Sequence, residues 1–303
     1  MLRTLSLFAG IGGFDLGLER TGGFRTVAFC ECAEFPRRVL AKHWPEVPCY
    51  DDVRTLTAER LRADGIAMPD IICGGFPCQD ISLAGKGTGL SGERSGLWWE
   101  YHRLIAECRP SWVVAENVAA LRGRGLDEVL GSLSALGYDA EWHCIPAGAV
   151  GAPHRRDRVW IVAHAQRRGR DWIHERVEAG HLAPNPCGRR EYGPHRAAAS
   201  NHSGRVSGAR SEGGDEAVAH ALCGGLQRPE PSFTSSLRRR LADASSAGSA
   251  WFPEPAVGRV AHGVPSRVDR LRCLGNAVVP QIPEMIGRAI LAMETQRSTA
   301  NNS

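Results

Sequence analysis

The chain has 303 residues, 43% of them hydrophobic, enough to bury a full core as one large domain or two. No run reaches the roughly 18 apolar residues of a membrane span, and Met1 to Gly10 leads into a strand pattern with no cleavage site, so a soluble cytoplasmic protein is expected. Ten cysteines without a C-x-x-C pair argue for a reducing compartment, against a disulfide framework and against a metal site, while the net charge of +4 is carried almost wholly by arginine.

Thr4 to Phe8 is an apolar strand that runs into F-A-G-I-G-G, Phe8 to Gly13, and then a helical pattern from Phe14 to Arg20. Strand, glycine turn and helix bring a nucleotide-like ligand against exposed backbone amides. The next strand, Thr26 to Cys30, ends in Glu31 and is followed by a helix from about Ala33 to His43. A carboxylate there, some 20 residues after the glycine turn, can hold both hydroxyls of a ribose. Asp52 and Val53 follow a further strand end, where a carboxylate can accept from an adenine amino group. The spacing departs from G-x-G-x-x-G, so an adenosyl ligand without a pyrophosphate fits better than a dinucleotide.

Pro69 to Ser82, P-D-I-I-C-G-G-F-P-C-Q-D-I-S, reads as a strand over Asp70 to Cys73 that breaks at Gly74-Gly75 into a turn. The glycines leave space for a flat ligand, and Pro77 fixes the direction from which the Cys78 thiol emerges. Gln79 to Leu97, with glycines at 85, 87, 89, 92 and 96, reads as a mobile loop able to close over a partner. Trp98 to Cys108 is helical in period, and Ser111 to Ala115 is a strand ending in Glu116-Asn117-Val118. In open α/β sheets the ligand crevice lies at the carboxyl ends of the strands, so Cys78 and Glu116 are expected to converge. Leu126 to Leu136 is an amphipathic helix, Tyr138 to Pro146 a strand, and H-R-R-D-R feeds the strand Val159 to Ala163. Alternation places Arg156 and Arg158 on one face, a pair suited to an oxyanion, a phosphate or a carbonyl.

Ala165 to His262 has broken periodicity and fourteen arginines against ten carboxylates, enough to account for the whole net charge. The echoes A-H-A-Q-R-R-G, P-N-P-C-G, A-H-A-L-C-G and A-D-A-S-S-A-G are either a repeated turn presenting arginines or a compositional accident. The arginine bias itself suits phosphate and base contacts, and a GC-rich genome would produce it equally. A final helix runs from Ile282 to Glu294, and the residues after Thr295 read as a frayed tail.

The ordered set F-A-G-I-G-G, G-G-F-P-C-Q, E-N-V, H-R-R-D-R-V and L-G-N-A-V-V-P resembles the DNA (cytosine-5)-methyltransferases over Leu2 to about Val162 and again over about Val264 to Ile290. The resemblance implies an α/β fold, a Rossmann-like doubly wound sheet of the S-adenosylmethionine-dependent type with a smaller, irregular target-recognition domain. Residues 1–164 would be catalytic and cofactor-binding, 165–262 the target-recognition domain, 263–295 a return to the catalytic domain and 296–303 the tail. Phe8, Gly10 and Gly12 would line the S-adenosylmethionine pocket, Glu31 would bind its ribose, Asp52 and Val53 its adenine, and Asn276 would close the methionine end. Cys78 would be the nucleophile, Glu116 the partner of cytosine N3 and the 4-amino group, Arg158 a contact to O2, and Arg156 a support for the cysteine loop. The family often has glutamine where His154 stands. The implied protein is a monomer acting on a flipped-out cytosine in double-stranded DNA, with a restriction endonuclease as functional partner. The alternatives are a tRNA cytosine-5 methyltransferase, whose C-F-T signature is not seen here, and a non-catalytic DNA-binding relative, which would lose Cys78 or Glu116.

Overall fold

The computed structural model describes residues 1–77, 96–166, 237, 239–240 and 265–301, all in one unit of the chain. Seven strands, β1 (Leu2–Leu7), β2 (Phe24–Cys30), β3 (Cys49–Tyr50), β4 (Ile71–Gly75), β5 (Trp112–Val118), β6 (Tyr138–Pro146) and β7 (Asp157–Ala165), form one sheet in the order β3-β2-β1-β4-β5-β7-β6. β1 to β5 run parallel, while β7 is antiparallel to both β5 and β6. The chain leaves β1 toward β3 on one side and returns through β4 on the other, so the switch point lies between β1 and β4.

The strands are apolar on both faces because helices cover both. Ile72, Val113, Ala115, Ile161 and Ala163 point to one side, beneath α3 (Ala58–Ala63), α4 (Leu97–Cys108) and α5 (Leu126–Ala135). Their neighbours Ile71, Cys73, Trp112, Val114, Trp160 and Val162 point to the other, beneath α1 (Gly13–Glu19) and the last helix, α7 (Gln281–Asn301). The described residues also form α2 (Glu34–His43) and α6 (Arg267–Asn276). No helix among the described residues is long and apolar enough to cross a membrane. Leu237, inside the segment expected to read DNA, is buried in the same cluster as Trp160 and Ile286.

Two expectations change. β4 does not break at the glycines: Gly74 pairs with Ala115 and Gly75 with Glu116 inside the strand. The glycines serve close approach instead, since a Cβ at Gly74 would collide with the Leu7 carbonyl of β1. The final helix continues past Glu294 to Asn301 rather than fraying at Thr295. A cationic side chain extends it: Arg297 lies over the Trp112 ring at 5.3 Å and reaches His164 Nδ1 at 3.1 Å. An apolar period cannot register such an anchor.

Candidate active site and cofactor pocket

At the carboxyl edge, β1 is followed by Phe8, whose φ of +51° is unusual for a side chain of that size. Its ring lies on Tyr101, centroids 6.4 Å apart, and the Tyr101 hydroxyl donates to the carbonyls of Ile72 and Val114, tying β4 to β5. After Phe8 the turn passes Gly10, φ +55°, where a Cβ would meet nothing within 4 Å. The Gly10 N–H donates to Glu31 Oε2 at 2.8 Å, and Glu31 Oε1 accepts from Ala33 N–H at 2.9 Å. A carboxylate at the end of β2 is thereby fixed against the glycine turn.

These groups line a cavity of about 400 Å³, within the range of small-molecule sites. Phe8, Gly10, Glu31 and Asn276 are on its wall, with apolar cover from Ile11, Phe14 and Phe35. Gly12, Asp52 and Val53 are not. Gly12 backs onto the Trp44 ring, Asp52 accepts from its own turn at Arg54 N–H (2.9 Å), and the Val53 side chain is buried in the core. No cluster of His, Cys, Asp or Glu among the described residues could hold a metal.

Glu116 and Arg158 face the same cavity. They meet because β7 runs antiparallel: its first residues lie beside the last of β5, with Val118 opposite Arg158. Arg158 Nε stands 2.8 Å from Glu116 Oε1, an ion pair whose N–H is not aimed along the contact. On the other side, a Cβ at Gly75 would lie 2.7 Å from Glu116 Oε2, so only glycine leaves the carboxylate its place. Burial raises the Glu116 carboxyl above its usual range, against the opposing charges of Arg158 and Arg156. Arg156 precedes β7 with φ +37°, and its guanidinium donates to the carbonyls of Gly275 and Asn276. His154 is exposed.

Cys78 and all but the last two residues of the loop Gln79 to Leu97 lie outside the described residues. The segment that leads to Cys78 does not. Phe76 is buried against Trp98, and its carbonyl accepts from Asn117 Nδ2 at 3.2 Å. Asn117 Oδ1 in turn accepts from Val118 N–H at 2.8 Å. Asn117 thus ties the end of β5 to the approach to Cys78, a supporting role that sequence reading gave to Arg156, whose guanidinium among the described residues donates to α6 instead. Sequence reading also missed Arg272 and Cys273 on the cavity wall, although Val268, Leu271 and Leu274 carried a helical spacing that could have revealed α6.

Residues 2–190 match the family model for C-5 cytosine-specific DNA methylases. The type II methyltransferase M2.BsuMI of Bacillus subtilis is 36% identical over 170 residues, 54% of this chain and 42% of its own. M.DsaV of Dactylococcopsis salina is 32% identical over 176 residues, 57% and 48% of the two chains. A solved structure of a candidate prophage DNA modification methyltransferase from E. coli aligns at 26% identity over 55% of this chain and 47% of its own, with a TM-score of 0.45. The matched part spans less than half the length of these relatives. Because the family model covers more than half of the chain and takes in every site residue described above except those of α6, the chain belongs to the C-5 cytosine-specific DNA methylase family.

Proposed function

We propose that the chain methylates C5 of a cytosine flipped out of double-stranded DNA, using S-adenosylmethionine and a covalent bond from Cys78 to C6. The observation that carries this reading is the buried Glu116 paired with Arg158 at the strand edge next to the approach to Cys78. Cytosine C5 is too weak a nucleophile until a thiolate adds to C6 and pushes an electron pair toward C5 and the N3 and O2 side of the ring. Glu116, its carboxyl raised by burial, can hold a proton at N3 and accept from the 4-amino group. Arg158 places a cation beside O2. Once C5 bears the methyl group, loss of its proton to a base lets the C5–H electron pair re-form the C5–C6 double bond and expels the Cys78 sulfur as thiolate. Extruding the base costs a few kcal/mol, an outlay that the Gln79 to Leu97 loop would help to offset.

The cavity fits the cofactor. The open side of Gly10 leaves room for a ligand against the backbone, Glu31 sets a carboxylate where a ribose would lie, and Phe8 and Phe35 supply apolar walls. S-adenosylmethionine, when bound, supplies an electrophilic methyl group. Phe8, Gly10, Glu31 and Asn276 would hold it; Gly12, Asp52 and Val53 would act from behind the wall. Residues 165–262 would read the bases, and the type II designation of the relatives supports a cognate restriction endonuclease as functional partner.

Expression in a host without cytosine-5 methylation, followed by bisulfite sequencing of DNA and tRNA, tests the reading. We expect 5-methylcytosine at one recurring DNA sequence. Methylation confined to tRNA, or none in either, would overturn it.

A further inference from the structure

The helix on the far wall of the cavity has little packing of its own. α6 buries none of its residues, and Val268, Leu271 and Leu274 stand 57% to 68% exposed. A short helix ordinarily depends on an apolar face against a core, and this one turns its apolar residues outward. Yet Arg272, Cys273 and Asn276, all on α6, line the cavity.

What the described residues supply instead is Arg156. Its Nη1 donates to the Gly275 carbonyl and its Nη2, at 2.8 Å, to the Asn276 carbonyl. Both carbonyls belong to the last turn, where a helix leaves its C=O groups without internal partners and carries a partial negative charge. A planar guanidinium can satisfy two such acceptors at once, which an ammonium cannot do with the same geometry. Arg156 reaches them at a cost. Its backbone sits at φ +37°, its Nε is buried without a partner among the described residues, and burial together with the like charge of Arg158 lowers its pKa. Strain retained at a site edge marks a residue held there by what it binds.

We infer that Arg156 is a positioning residue for the cofactor, clamping the C-terminal end of α6, and with it the Asn276 wall, to the strand end that carries Arg158. One side chain thus joins the cofactor wall to the residues that face the base. The cofactor half of this inference rests on the function proposed above; the clamp does not.

The test uses the full chain as wild type, Arg156→Met and Arg156→Lys. Without ligand, hydrogen exchange at the α6 amides should quicken about tenfold or more in Arg156→Met, with β1, β4 and β5 unchanged, and Arg156→Lys should fall between. Calorimetry should show S-adenosylmethionine binding weakened about tenfold in Arg156→Met, with a smaller loss of kcat at saturating cofactor. Should Arg156→Met lose protection throughout the sheet, Arg156→Lys alone decides, by selective loosening of α6 or its absence. Unchanged α6 exchange in a folded variant overturns the clamp. A wild type that binds no S-adenosylmethionine sinks the cofactor reading, while the exchange result still decides the clamp.

Discussion

Asp15, in the first turn of α1, is fully buried and accepts from the hydroxyls of Ser6 at 2.8 Å and Thr26 at 3.0 Å. Burial outweighs both hydrogen bonds, and with Glu19 nearby it lifts the carboxyl from 3.8 to about 7. Between these two values the native state holds a proton that the unfolded chain has released, so the Asp15 contribution to stability declines as pH rises through that window. Asp15→Asn removes the decline. Melting curves should show the variant gaining on wild type from about pH 4 to about pH 7 and no further above; a constant difference across that range would contradict the assignment. Glu116 is raised for the same first reason, but Arg158 and Arg156 oppose it. Glu116 and Arg158 were legible because each lies at an end of an apolar strand run; alternation was expected to set Arg156 on the same face, but Arg156 precedes β7 at φ +37°, where the strand period does not reach. Asn117 was not legible, because its meaning lies in a 3.2 Å contact to the Phe76 carbonyl, 41 positions away in the chain.

At the scale of elements, what periodicity could register was the apolar run, and what it could not was a helix held by charge. The extension of α7 to Asn301 rests on Arg297 over Trp112 and beside His164, with Glu294 accepting from the Trp112 indole at 2.9 Å. Arg297→Ala should therefore cost about 1 kcal/mol in urea unfolding, in the range of a partly exposed cation–π contact. No measurable loss would mean that the last turns of α7 are ornamental to the fold. α6 likewise turns its apolar residues outward, and among the described residues its last turn is held by Arg156. β4 was misread at its end for a different cause. A glycine pair signals either a turn or a close approach, and only the neighbouring strands decide which.

Across the whole molecule, the parallel strands bring their carboxyl ends to one edge, and the single reversal at β7 delivers Arg158 to that edge from its own beginning. Chain order alone gave the strands and their acidic ends. It did not give the reversal, because β6 and β7 look alike in pattern whichever way they run. The proposed covalent reaction at Cys78 is tested most directly by a duplex carrying 5-fluorocytosine at the methylated position. The C5 substituent of that base cannot leave as a proton does, so the bond from sulfur to C6 should persist. Intact-mass analysis with S-adenosylmethionine present should show wild-type protein joined to DNA, with the adduct mapped to Cys78 and none formed by Cys78→Ser. A wild type that turns over unmodified duplex but forms no adduct, or an adduct that survives in Cys78→Ser, would contradict the account.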